Sequence, residues 1–151
     1  MIVPVKLADA TVLTKIALKS KAHWDYSKAQ IENWRDDLTV TSEYLQKTSS
    51  FVYKKENAIV GFYILEKVNM SKVSLEFLFV LPEFIGLRIG FQLLQHAIVN
   101  GRSQEANVLS VLSDPNAEKF YAKQGFEKKG MKESAVPGRF LPEMELKLEE
   151  N

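Results

Sequence analysis

Residues 73–81 are apolar almost without interruption, Ser74 and Glu76 being the exceptions, and Pro82 then ends the run. A strand of that composition has no face suited to water, so it belongs inside a sheet covered on both sides. That requirement calls for helices flanking strands, and the following residues supply them. Ile89, Leu93, Leu94, Ala97 and Ile98 recur at helical spacing, with Gly101 placed as the C′ residue. Residues 108–112 form a short apolar strand, and Asp114-Pro115 is an N-cap followed by proline at the first helical position. Ala117, Phe120 and Tyr121 then face one way, and Gly125 closes that helix.

The first half of the chain reads as smaller elements. Residues 2–7 alternate well enough for a strand, and Asp9 opens a helix with Val12, Leu13, Ile16 and Ala17 on one face. Ser27 and Gln30 have capping-box spacing, in which each side chain satisfies the other's orphan backbone N–H. Ile31 and Trp34 give that helix its buried stripe, and Thr41 or Ser42 caps a further turn. Residues 51–55 and 58–65 are β-rich and separated by Glu56-Asn57, a hairpin reading because Asn tolerates positive φ. Residues 126–131 and 144–148 supply the last two strands. The order β-α-α-β-β-β-α-β-α-β-β implies a mixed α/β sheet with helices on both faces.

Length and charge bound the function classes. The 151 residues fit one domain, residues 1–151, with no linker or repeat. A formal net charge of +1 gives no long-range field toward nucleic acid or an anionic membrane. With no cysteine there is no disulfide, thiolate metal ligand or thiol nucleophile, and two histidines make a His-based metal site a poor expectation. The start, MIVPVKLADA, lacks the features of a signal peptide, and no window approaches 18 consecutive apolar residues. The expectation is a soluble cytoplasmic protein without metal, nucleic-acid or membrane partners.

Two segments carry chemistry. The first is Val80-Leu-Pro-Glu-Phe-Ile-Gly-Leu-Arg-Ile-Gly90, where a buried strand ends and a helix begins. Unpaired N–H groups at such a helix start can hold a phosphate or pyrophosphate, and glycine lets it approach closely. The segment is neither G-x-x-x-x-G-K-[ST] nor G-x-G-x-x-G, and an ordinary connection with Gly86 in a turn and Gly90 at a packing point reads equally well. The second is Asp114-Pro-Asn-Ala-Glu-Lys-Phe-Tyr-Ala-Lys-Gln-Gly-Phe126. Asn116 in the first turn can present its amide to a ligand. Tyr121 lies on the inward stripe and, taken alone, reads as a core aromatic.

Taken together, strand, Gly loop, helix, strand, then Asn-Ala-x-x-x-Tyr-x-x-x-Gly-Phe resembles the GNAT superfamily of N-acetyltransferases, of the bacterial small-molecule type. The resemblance covers residues 75–126 and implies a mostly antiparallel sheet of six to seven strands with one splayed parallel pair. It further implies acetyl-CoA as co-substrate, with pantetheine bonding backbone near Phe79 and Val80. The pyrophosphate would lie on the loop of Ile85, Gly86, Leu87, Arg88, Gly90 and Phe91. Asn116, Phe120 and Tyr121 match the family's second motif, where Tyr is read as the acid that protonates the CoA thiolate. Lys123 either reaches the phosphates or is a solvated surface lysine. The family loop, Gln/Arg-x-x-Gly-x-Gly/Ala, aligns as Ile85-Gly-Leu-Arg88-Ile-Gly90, so Ile and Arg replace its first two defining residues. Position 88 is expected to be already helical, where Arg costs nothing and adds a cation.

Glu76 interrupts the apolar run, and burial there would raise its pKa toward that of a general base. The family often places a base on this strand; a Glu at a less covered edge, or paired with a cation, is the other reading. On the substrate side, His23-Trp24-Asp25-Tyr26 either embraces a cation or packs and caps. Arg139, within Pro137-Gly-Arg-Phe-Leu-Pro142, either binds a substrate carboxylate or pins its loop. The expectation is an enzyme moving acetyl to a primary amine on a small molecule rather than a protein, with a homodimer compatible with the family. The alternatives are a non-catalytic acyl-CoA-binding or sensing domain on the same fold, and an α/β interaction domain with no cofactor.

Overall fold

The computed structural model describes residues 1–24, 26–134 and 137–148. The first strand is shorter than its alternation suggests: β1 covers only Ile2–Pro4. The chain then turns because the Lys6 N–H donates to the Asp9 carboxylate at 3.0 Å, closing a 3-10 turn at Leu7–Asp9. Asp9 leads into α1 (Ala10–Ala22), which buries Leu13, Ile16, Ala17 and Ser20. Val12, expected on that face, is exposed, since it lies about a quarter turn from its middle.

The Ser27–Gln30 capping box forms as its spacing predicts. Gln30 N–H donates to Ser27 Oγ at 3.1 Å and Ser27 N–H to Gln30 Oε1 at 2.9 Å, opening α2 (Lys28–Asn33). Trp34 is buried between α2 and α3 (Arg35–Leu38). Thr41 caps α4 (Ser42–Gln46), accepting from Tyr44 N–H at 3.1 Å.

The hairpin of β2 (Ser49–Lys55) and β3 (Ala58–Lys67) follows. Its two turn residues, Glu56 and Asn57, have φ of 53° and 68°, the backbone that matches the twist of the strands they join. Next come β4 (Lys72–Val80), α5 (Ile89–Ser103), β5 (Val108–Leu112), α6 (Glu118–Lys123), β6 (Glu127–Glu133) and β7 (Phe140–Lys147). The seven strands take the order β1-β2-β3-β4-β5-β7-β6. This is the mixed, mostly antiparallel sheet expected from the sequence, with β4 and β5 as a parallel pair.

The contacts divide the chain into two units, and β4 and α5 contribute to both. The first holds Met1–Leu65 and Phe77–Ala97. Within it the Tyr63 hydroxyl hydrogen-bonds His96 Nδ1 of α5 at 2.7 Å, and burial lowers the His96 pKa. The neighbouring Phe62 turns its ring to Phe77, 6.0 Å away, which meets Tyr44 of α4 at 6.1 Å. Successive residues of a strand point to opposite faces, so α4 and α5 cover opposite faces here, as the apolar composition requires.

The second unit holds Glu66–Glu76 and the described residues from Ile98 onward. β4 runs parallel to β5 from Lys72 beside Val108 to Leu75 beside Val111. β7 lies antiparallel to β5 and to the outer strand β6. Every residue of β6 is exposed, and its lysines and the irregularity between Lys128 and Gly130 make it a poor template for a foreign strand. Gly101 is not the C′ residue: α5 runs on to Ser103, and the left-handed residue beyond it is Glu105, at φ 63°. Gly101 instead marks a close approach. A Cβ there would lie 2.9 Å from Leu148 Cδ1 and 3.3 Å from Val73 Cγ2.

Candidate functional site

In the first unit the candidate residues run from the end of β4 into α5. Leu81 N–H donates to the Val60 carbonyl at 2.8 Å. Because an antiparallel strand alternates the direction of its polar groups, those of Val80 point away from β3. Phe79 is half-buried, its ring 6.1 Å from those of Phe62 and Phe77. Its carbonyl oxygen would be 3.0 Å from a Cβ at position 61, so Gly61 lets the two strands approach closely there. The isolated glycine in a strand pattern was the available signal for that close approach.

Pro82–Phe84 form a 3-10 turn, closed by Phe84 N–H on the Leu81 carbonyl at 2.9 Å. Gly86 has φ 93°, with open space where a Cβ would be. Ile85 and Leu87 are both exposed. Arg88 overturns the helical expectation: it precedes α5 with φ 63°, in the left-handed region that glycine occupies freely. A side chain there costs about 1 kcal/mol or more. The guanidinium carbon lies 4.5 Å from the Phe91 ring centroid, a cation–π contact that offsets part of this. Among the described residues, the N–H groups of residues 86–91 meet no acceptor. Gly90, next after Ile89, occupies the first turn of α5. Open N–H groups, a glycine with free space above it and one guanidinium suit a phosphate-bearing ligand.

In the second unit Asp114 organises the start of α6. Its Oδ1 accepts from Asn116 N at 2.9 Å and from Asn116 Nδ2 at 3.0 Å. The cap reads as predicted, but Asn116 lies in a 3-10 turn, Pro115–Ala117, and its amide is engaged by Asp114. Tyr121 is buried on α6, with the rings of Phe120 and Phe126 edge-on at 5.2 and 5.3 Å. Its hydroxyl meets no hydrogen-bond partner among the described residues, where no polar side-chain atom is both sealed from solvent and unpartnered. Burial first, and the Asp114 charge second, hold the phenol well above its ordinary pKa of 10.0, so it stays protonated at neutral pH.

Other candidates change character. Glu76 is exposed rather than set among apolar groups, on the side of the strand it shares with half-buried Ser74, whose hydroxyl donates to its carboxylate. Trp24 is half-exposed and edge-on to His23 at 5.3 Å. Tyr26 packs edge-on to Trp34 at 4.7 Å, and Lys21 Nζ lies 5.6 Å from the Tyr26 ring and 5.5 Å from the Trp34 ring. That aromatic pair already holds a cation of the chain itself. Asp25 lies outside the described residues. Arg139 lies 3.7 Å from Asp114 Oδ2, which favours pinning over an open carboxylate site. Lys123 is a surface lysine.

Among the described residues, no group of three His, Cys, Asp or Glu could hold a metal ion, and no helix is long and apolar enough to cross a membrane. A search of curated proteins found no match. Solved structures share the fold. A GCN5-related N-acetyltransferase from Rhodopseudomonas palustris has a TM-score of 0.82 at 24% identity, over 97% of this chain and 94% of its own. A PaiA N-acetyltransferase from Thermoplasma acidophilum, in complex with coenzyme A, has a TM-score of 0.79 at 21% identity, over 97% and 98%. A GNAT family acetyltransferase from Elizabethkingia anophelis, with acetyl-CoA bound, has a TM-score of 0.72 at 19% identity, over 97% of both chains. The family profile described as an acetyltransferase (GNAT) domain matches residues 22–148. The chain belongs to the GNAT family of acetyltransferases.

Proposed function

We propose that the chain is an acetyl-CoA-dependent N-acetyltransferase that acts on a primary amine by direct attack in a ternary complex. The observation that supports this reading is Tyr121, a buried ring whose hydroxyl meets no hydrogen-bond partner among the described residues and whose pKa burial raises, on the residue that the sequence resemblance matches to the family's tyrosine. Bound acetyl-CoA supplies an acetyl group activated as a thioester. The open N–H groups of residues 86–91, with Arg88 beside them, would hold its phosphates. Phe79 and Val80 offer backbone to pantetheine, and the Val80 N–H, turned away from β3, polarises the acetyl carbonyl. Asn116 and Phe120 line the start of α6, and Tyr121 presents its proton to the departing sulfur. Glu76, exposed and held by Ser74, takes the ammonium proton directly or through water.

The acceptor in this reading is a small molecule, and the setting cytoplasmic. Trp24 remains the chain's contribution to an acceptor subsite, with Tyr26 a supporting residue because its ring already faces Lys21; Arg139, set against Asp114, is left to pin its loop. The experiment is release of free CoA thiol across an amine panel, with and without the Tyr121→Phe change.

Arg88 favours a second reading, a domain that binds acyl-CoA without turning it over, because it stands where the family pattern has glycine. Arg88→Gly separates the two uses of this position. Removing left-handed strain, losing the cation–π contact and adding unfolded-state freedom are each about 1 kcal/mol and oppose one another, so Tm should move by no more than about 2–4 °C. The affinity for acetyl-CoA, read by calorimetry, should fall roughly fivefold, as loss of one partly exposed charge contact predicts. Equal or tighter binding by the glycine variant would remove Arg88 from the phosphate site.

A further inference from the structure

The carboxylate of Asp114 makes more contacts than a helix cap needs. Oδ1 takes both the backbone and the side-chain N–H of Asn116, while Oδ2 faces the Arg139 guanidinium at 3.7 Å. Arg139 belongs to the segment entering β7, and its carbonyl accepts from Ser134 N–H at 2.8 Å. Both side chains are largely buried, 16% exposed for Asp114 and 23% for Arg139. Ion pairs on an open surface contribute little, whereas a pair this enclosed responds strongly to loss of one member. Ser113, just before it, donates its N–H to the Pro142 carbonyl at 2.9 Å, a second tie from this turn to β7.

We propose that Asp114 is a positioning residue for Tyr121: one oxygen fixes the turn that launches α6, and the other fastens that turn to the start of β7 through Arg139, so that the phenol is carried in one register. The inference rests on the reading of Tyr121 as the proton donor. The remaining charges on α6 are Glu118, Lys119 and Lys123; Glu118 faces Lys128 of β6 at 3.9 Å, and Arg139 faces Asp114. Of these groups, the Asp114 charge is the one that acts on the phenol, in the direction that disfavours the phenolate. The active form of Tyr121 is protonated. It persists below the raised pKa and is lost only as pH rises through it.

Asp114→Asn tests this in the full-length chain, because Asn keeps a side-chain oxygen for the cap and loses the charge that faces Arg139. Fluorotyrosine at position 121 ionises at lower pH than tyrosine and brings the titration into range. The phenol should then titrate at lower pH in Asp114→Asn than in the parent, with kcat about three- to tenfold lower and the KM for acetyl-CoA within about twofold. Arg139→Gln, which removes the counter-charge, should move the titration the other way. Opposite shifts cannot come from general loosening of the helix. An unmoved phenol in either variant, or unchanged kcat in Asp114→Asn, overturns the proposal. If Tyr121→Phe keeps full activity while Asp114→Asn still shifts the phenol, the assignment of Tyr121 fails and the electrostatic link stands, so the two failures are distinguishable.

Discussion

Tyr121→Phe is expected to lower kcat by about 10²-fold or more while leaving the affinity for acetyl-CoA within about twofold. Tm should not fall, because the hydroxyl meets no protein partner among the described residues and the ring, packed between Phe120 and Phe126, is retained. Activity and stability therefore separate: a core tyrosine with a satisfied hydroxyl would lose stability on this change, whereas a poised proton donor loses rate. The raised phenol pKa also means that ionisation of Tyr121 does not shape the pH–rate profile near neutrality. A limb there belongs to another group, and carrying Glu76→Gln through the same profile shows whether it is Glu76. Unchanged kcat in Tyr121→Phe would remove the residue from the chemistry.

The largest structural effect is expected at Gly101. A leucine there starts from a Cβ 2.9 Å from Leu148 Cδ1 and 3.3 Å from Val73 Cγ2, and extends into fully packed surroundings. Overpacking of this kind costs about 1–3 kcal/mol, and for a chain of this size each kcal/mol lowers Tm by roughly 2–4 °C. Thermal melts of Gly101→Leu should show that loss. A melt equal to the parent would mean that α5 does not lie this close to Val73 and Leu148.

These two positions show where the sequence was legible. Tyr121 stands in a run of unambiguous local signals, Asp114-Pro115 at one end and Gly125 at the other, and the structure reproduces both. The Ser27–Gln30 box and the Glu56-Asn57 turn were equally readable, because each is settled by residues within four positions of one another. Gly101 was misread because its reason is tertiary: the atoms that exclude a side chain come from Val73 and Leu148. Arg88 was misread because nothing local distinguishes the last residue before a helix from its first, and the left-handed backbone shows only in three dimensions. Of the two readings open for Glu76, the structure has the exposed one, a choice that the apolar neighbours in its strand could not make. Trp34 does more than extend the stripe of α2, because its ring also shares Lys21 with Tyr26, a pairing that sequence spacing does not show.

Catalysis has a direct test. Acetyl-CoA should be incubated with the purified chain and a panel of primary amines, and free CoA thiol followed against controls lacking either protein or amine. Thiol release should require both, be matched by the N-acetylated amine in the product mixture and fall about 10²-fold in Tyr121→Phe. Binding of acetyl-CoA without amine-dependent release from any member of the panel would contradict it and leave a cofactor-binding domain in its place.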